Sequence, residues 1–177
     1  LEPQRAQPWL AIANVHASAK RWDQAGEALG RARQADGNDR AVALAQGDLH
    51  AAAGRPAEAA RSYAETAARH PAWAEPMIRK GMVHQQAGER SAAESAYRDA
   101  IRRGEAQAAV ALNNLAWMLA EDRRALNEAA AFARRATELA PTEPMFFGTL
   151  ARVHAARGDK QAEAAAAQKA EELRKRR

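Results

Sequence analysis

Apolar residues recur along this chain at the spacing of helix turns. Trp9, Ile12, Ala13 and His16 fall at i, i+3, i+4 and i+7, one face of a helix. A polar break at Lys20-Arg21 follows, and then Trp22, Ala25, Leu29 and Ala32 mark the inner face of a second helix. Further along, Gly54 and Gly88 stand where a helix would end in a left-handed cap. Pro8, Pro56 and Pro76 fall in first turns, where a missing N–H costs little. Strand signals are weak. Val and Ile are scarce, and the single Asp-Gly pair, Asp36-Gly37, lies between two helical patterns rather than between alternating apolar runs. The pattern predicts an all-α chain of short amphipathic helices.

The helices repeat. His16, His50 and His84 follow one another at 34-residue steps, and Gly47 and Gly81, Gly54 and Gly88, and Tyr63 and Tyr97 are each separated by the same step. Gly88 and Gly158, His84 and His154, and Pro71 and Pro141 are each 70 apart, two periods plus two residues. Units of two helices are therefore expected over about 6–39, 40–73, 74–108, 109–143 and 144–177, one continuous array over 1–177. This pattern resembles the tetratricopeptide repeat (TPR). It rests on Trp9, Ala13, Trp22 and Ala25 in the first unit, Gly47, Ala59, Tyr63 and Pro71 in the second, and Gly81, Ala93, Tyr97 and Ala100 in the third. Leu112, Leu115, Ala116, Ala129, Ala136 and Pro141 carry it in the fourth, and Leu150, Ala151, Gly158 and Ala170 in the fifth. Three places depart from it. The fourth unit has no glycine between its helices, where Glu121 to Asn127 includes an extra residue. A second extra residue lies around Gly104-Glu105-Ala106, and the fifth unit has Glu163 where a small residue is expected.

The resemblance implies an α-solenoid of five antiparallel hairpins wound as a right-handed superhelix. It also implies a concave surface lined by the first helix of each unit. The face opposite the inward one then carries Asn14, Asp48, Ile78, Arg79, Met82, Gln86, Asn113, Asn114, Trp117 and Arg152 as the candidate partner-binding residues, with Val110 and Thr149 beside them. Leu10, Leu44, Ile78, Met82 and Trp117 would form an apolar strip flanked by amides and arginines, and such strips mark binding sites. Packing between neighbouring first helices is the competing explanation for Leu10 and Leu44, whereas the size of Trp117 and Met82 favours exposure. The family's clamp for chaperone tails is not expected. Asn14 matches one of its positions, but Leu10 replaces the lysine and Ala45 an asparagine.

Composition narrows the chemistry. Hydrophobic residues make up 47% of the chain and aromatics only 5%, with much of the balance alanine, which supports close helix approach. The absence of cysteine excludes disulfides, thiol catalysis and cysteine-ligated zinc. No phosphate-binding glycine loop or His-Glu-x-x-His motif occurs, and the serines lack a nucleophile context, so no catalytic residue, cofactor or metal is expected. The four in-phase histidines would lie about 8–10 Å apart on stacked helices, too far to share one zinc, and are assigned to packing. The net charge of +5 is mild, and the basic tail Arg174-Lys175-Arg176-Arg177 suits a solvated helix end, so nucleic acid is not an expected partner. No run is apolar enough to span a membrane.

The expected function is that of a non-enzymatic scaffold binding a protein or peptide. The alternative is a structural spacer or self-assembling segment of a larger protein. Leu112-Asn113-Asn114-Leu115-Ala116-Trp117 is similar to units of bacterial arrays tied to envelope and exopolysaccharide export, which leans localisation toward the bacterial periplasm or envelope. Leu1-Glu2-Pro3 matches the end of a preceding unit, so the chain is expected to be a piece of a longer array; a cloning remnant is the other explanation.

Overall fold

The computed structural model describes residues 5–104 and 108–176. Ten α-helices and no strand occur among them. They are α1 (Ala6–Ser18), α2 (Trp22–Ala35), α3 (Arg40–Ala52), α4 (Pro56–Arg69), α5 (Glu75–Gln86), α6 (Arg90–Arg103), α7 (Ala109–Glu121), α8 (Leu126–Leu139), α9 (Pro144–Arg157) and α10 (Lys160–Lys175). Two compact units emerge. One holds the described residues through Pro71 together with Met82–Ala93; the other holds Ala72–Gly81 and the described residues from Glu94 onward. Leu1-Glu2-Pro3, Glu105-Ala106 and Arg177 lie outside the described residues.

Local chemistry sets the helix ends. Pro56 and Pro144 open α4 and α9, where φ is already fixed and no N–H is needed. The Asp39 carboxylate accepts from the amides of Ala41 and Val42 to cap α3, and Asp159 accepts from Ala162 to cap α10. The five turns inside the helix pairs share one geometry. In each, the amide at the last position donates to a carbonyl five residues back: Arg21 to His16, Arg55 to His50, Glu89 to His84, Arg124 to Leu119 and Asp159 to His154. The residue before that amide donates three back, which completes a Schellman motif. This residue must be left-handed. Gly54, Gly88 and Gly158 fill it with φ of 72°, 77° and 77°. The other two turns place Lys20 and Arg123 there, at φ of 57° and 50°. The extra residue of the fourth turn follows its Schellman pair: α8 starts from the carbonyl of Ala125, itself left-handed, rather than from Arg124.

Packing of the pairs turns on small residues. A Cβ on Gly47 would stand 2.4 Å from the Tyr63 ring, and one on Gly81 would stand 2.5 Å from the Tyr97 ring. The glycines thus let an aromatic ring of the second helix lie against the backbone of the first. In the first unit α1 and α2 meet α3 through Leu10, Ala13, Leu29, Ala32 and Val42, with Trp9, Ile12 and Leu49 at the margin. In the second, Leu112, Ala136 and Phe146 join α7, α8 and α9, flanked by Ile101, Phe132 and Leu139.

An ion-pair network ties α6 to the fourth helix pair. Arg98 donates two bonds to Glu128, at 2.7 and 2.8 Å, and one to Glu94 at 3.0 Å, while Arg124 reaches the other Glu94 oxygen. The bond from Arg124 to Glu94, reinforced by Arg98, holds the Glu94 carboxyl below its ordinary pKa against the opposing effect of burial; Arg98 does the same for Glu128. The Arg98 guanidinium also lies over the Phe132 ring at 5.8 Å.

Candidate functional site

In the second unit, α7, α9 and α10 enclose an open cleft of about 530 Å³. Asn113, Asn114 and Trp117 line it from α7, Pro144, Met145, Gly148, Thr149 and Arg152 from α9, and Arg174 from α10. The side of α7 away from α8 supplies one wall because Leu112, Leu115 and Leu119 hold the opposite side in the core. Trp117 is half-buried and Met145 is 57% exposed, so the wall is apolar and open. The Arg152 guanidinium stands 5.9 Å from the Trp117 ring centre, with its Nη1 donating to Glu121. Stacking and the ion pair together hold that arginine over the ring.

A hydrogen-bonded chain forms the floor. Asn113 Nδ2 donates to Asn114 Oδ1 at 3.2 Å, and Asn114 Nδ2 donates to the Tyr97 hydroxyl at 3.2 Å. Tyr97 is fully buried, and burial pushes its phenol pKa up to about 12, with the Asn114 bond opposing. It therefore stays a neutral anchor for the amide pair. Asn113 is 3% exposed, and its Oδ1 has no hydrogen-bond partner among the described residues.

Four of the ten candidate residues thus converge in this cleft: Asn113, Asn114, Trp117 and Arg152. Two candidates offer little surface. Ile78 is buried, and Asn113 contributes an amide at depth rather than at the rim. Arg79 is half-buried and paired to Glu75 one turn back at 2.8 Å. In the first unit Asn14, Met82 and Gln86 are exposed, and Asp48 is half-buried, accepting a 2.6 Å bond from the Tyr63 hydroxyl. Leu10 and Leu44 are core residues. Of the in-phase histidines, His84 pairs with Glu89 at 2.5 Å and His50 with Gln46 at 3.0 Å. Among the described residues no group of His, Asp and Glu is placed to hold a metal ion, and no helix is long and apolar enough to cross a membrane.

The sequence reasoning missed Met145 and Arg174. Met145 stands one period after Val110, so extending the same phase by one unit finds it. Arg174 carries no such signal, since α10 is rich in alanine and charge and lacks a phase marker.

The tetratricopeptide repeat model matches residues 10–74 and 78–144. No curated protein matches the chain in sequence. Among solved structures, BtubC from P. vanneervenii superposes with a TM-score of 0.77 at 18% identity, covering 95% of this chain and 79% of that one. MamA from Desulfovibrio magneticus RS-1 gives 0.72 at 19% identity over 97% and 96%. YrrB, described as a TPR protein with an unusual peptide-binding site, gives 0.66 at 18% identity over 97% and 88%. At these identities the likeness establishes the tetratricopeptide solenoid fold. With the family model spanning most of its length, the chain belongs to the tetratricopeptide repeat family, a class of protein-interaction scaffolds that are in general not catalysts.

Proposed function

We propose that this chain acts without catalysis and binds a segment of a partner protein through its first-helix faces, with the cleft of the second unit as the principal site. One observation carries the reading: an open apolar wall of Trp117 and Met145 stands beside an amide floor and two arginines in a single concave site. Sites that capture peptides combine large apolar contacts with a few fixed polar groups, and tryptophan and arginine dominate their energetics. The peptide-binding site named for YrrB supports such a use of the fold. Asn14, Asp48 and Gln86, with the exposed Met82, belong to the proposal as partner contacts of the first unit, and Arg79 as a further contact of the second.

Selection of a random-peptide library on the full chain tests it. Peptides recovered on the wild type are expected to weaken at least about tenfold on Trp117→Ala, the loss typical of a buried aromatic anchor. Arg79→Glu is expected to weaken them less. Recovered peptides whose affinity is the same on Trp117→Ala would refute the cleft as the binding site.

A further inference from the structure

The charges of the cleft are one-sided. Its lining holds two guanidiniums, Arg152 and Arg174, and no carboxylate. The acids that pair with them, Glu121 and Glu171, lie outside the lining. Neither arginine is saturated by its partner. A guanidinium carries five N–H donors, and Arg152 engages Glu121 through one nitrogen. Arg174 Nη1 stands 3.7 Å from Glu171, a loose ion pair. Both side chains remain more than half exposed, at 54% and 60%.

The second arginine reaches this place beside Gly148. A Cβ there would lie 3.9 Å from Arg174 Nη2, so the guanidinium rests over a bare stretch of α9. Gly148 is one helical turn before Arg152, and the two cations therefore address the same strip of α9 from α9 itself and from α10.

The floor beneath them is polar and closed. Because Asn114 Nδ2 is committed to Tyr97, Asn114 Oδ1 takes the Asn113 Nδ2 donor. That leaves Asn113 Oδ1, a buried acceptor, without a donor among the described residues. A buried acceptor left without a partner is destabilising. The open part of the site thus presents apolar side chains on its wall and unsaturated cations at its rim.

We infer that the occupant of this cleft is an acidic peptide segment: a side-chain carboxylate is received by Arg152 and Arg174, and an adjacent aliphatic or aromatic side chain covers Trp117 and Met145. This rests on the peptide-binding reading above and assigns the chemistry of its ligand. Carboxylates suit guanidiniums through paired N–H···O bonds, whereas a lysine or arginine at the same place would face two like charges.

The same library selection on the full chain decides the matter when its products are read for composition. Peptides that depend on Trp117 are expected to carry Asp or Glu beside an apolar residue. Exchanging that acid for its amide counterpart is expected to weaken binding about fivefold to tenfold on the wild type. On the double variant Arg152→Gln with Arg174→Gln, whose folding is checked by its helical circular dichroism and melting, the exchange should matter less than about twofold. The advantage of the acidic peptide should also shrink at high salt, as expected for exposed charges. Peptides that depend on Trp117 yet show no acid preference, or lose equally on both proteins when the acid is exchanged, would overturn the inference and leave the cleft reading standing. Recovery of no Trp117-dependent peptide would overturn both.

Discussion

Tyr63 and Tyr97 occupy the same place one repeat apart, each lying against a glycine of its partner helix, yet their hydroxyls end differently. Tyr63 donates to Asp48, within its own helix pair and toward a charged group. Tyr97 accepts from Asn114, on the first helix of the next pair, and so fixes the amides at the base of the cleft. The ring packing is interchangeable between repeats; the polar end is what makes one of them part of a site. A repeat protein can thus keep one core arrangement and obtain a local recognition surface by changing the residue that meets the phenol.

The steepest way to break the comparison is to fill the glycines. Gly81→Ala drives a methyl into the buried Tyr97 ring and is expected to cost about 2 kcal/mol, since overpacking outweighs the gain in helix propensity. Urea unfolding measures it. The first repeat already pairs Ala13 with Leu29 at these two positions, so Gly81→Ala combined with Tyr97→Leu should recover part of the loss. A pair of variants that simply add would show that the ring contact is not the cause.

Next comes removal of the hydroxyls. Tyr97→Phe leaves the Asn114 amide without its acceptor and should cost about 1 kcal/mol as well as weaken peptides held in the cleft. Tyr63→Phe should leave those peptides unaffected. Equal effects of the two on binding would erase the distinction drawn here. Titration provides an independent reading. The elevated folded pKa of Tyr97 means that the fold binds this proton more tightly than the unfolded chain does. Stability should therefore fall as pH rises beyond about 10 and go on falling to about 12, with phenolate absorbance of this residue appearing near the upper value.

The carboxylates of the α6–α8 network behave oppositely. Their folded pKa values are depressed, so their contribution is complete above the ordinary carboxylate range and is lost as pH falls through the lower folded values. Replacing both, Glu94→Gln with Glu128→Gln, should flatten the acid limb of the stability profile. A limb of unchanged slope would place acid sensitivity elsewhere. The smallest effect belongs to the turns. Lys20→Gly or Arg123→Gly relieves a left-handed backbone and should raise stability by at most about 1 kcal/mol, visible as a small upward shift in melting temperature.

Helix pairing was legible in the sequence because two periods overlap there, the helical spacing of apolar residues and the 34-residue return of glycine, histidine and tyrosine. The left-handed turn positions were legible only where glycine fills them. Lys20 and Arg123 adopt the same backbone because the flanking hydrogen bonds impose it, which no residue preference announces. The site was legible in part. Periodicity says which face of α7 carries Asn114 and Trp117, but not how near the next helix approaches. Ile78 and Asn113 share the phase of exposed neighbours and are nevertheless enclosed. Arg174 enters by a long side chain crossing a bare glycine, a contact fixed by three-dimensional reach.

Alanine is the commonest buried residue among those described. An interior built of methyl groups has few atoms left to delete, so trimming a side chain removes little, while each added carbon meets backbone. A saturation scan of this protein should therefore be lopsided. Tolerance would fall with the volume gained at buried positions far more steeply than with the volume lost, and the chain's freedom to vary would lie in its outward-facing residues, where partners are chosen.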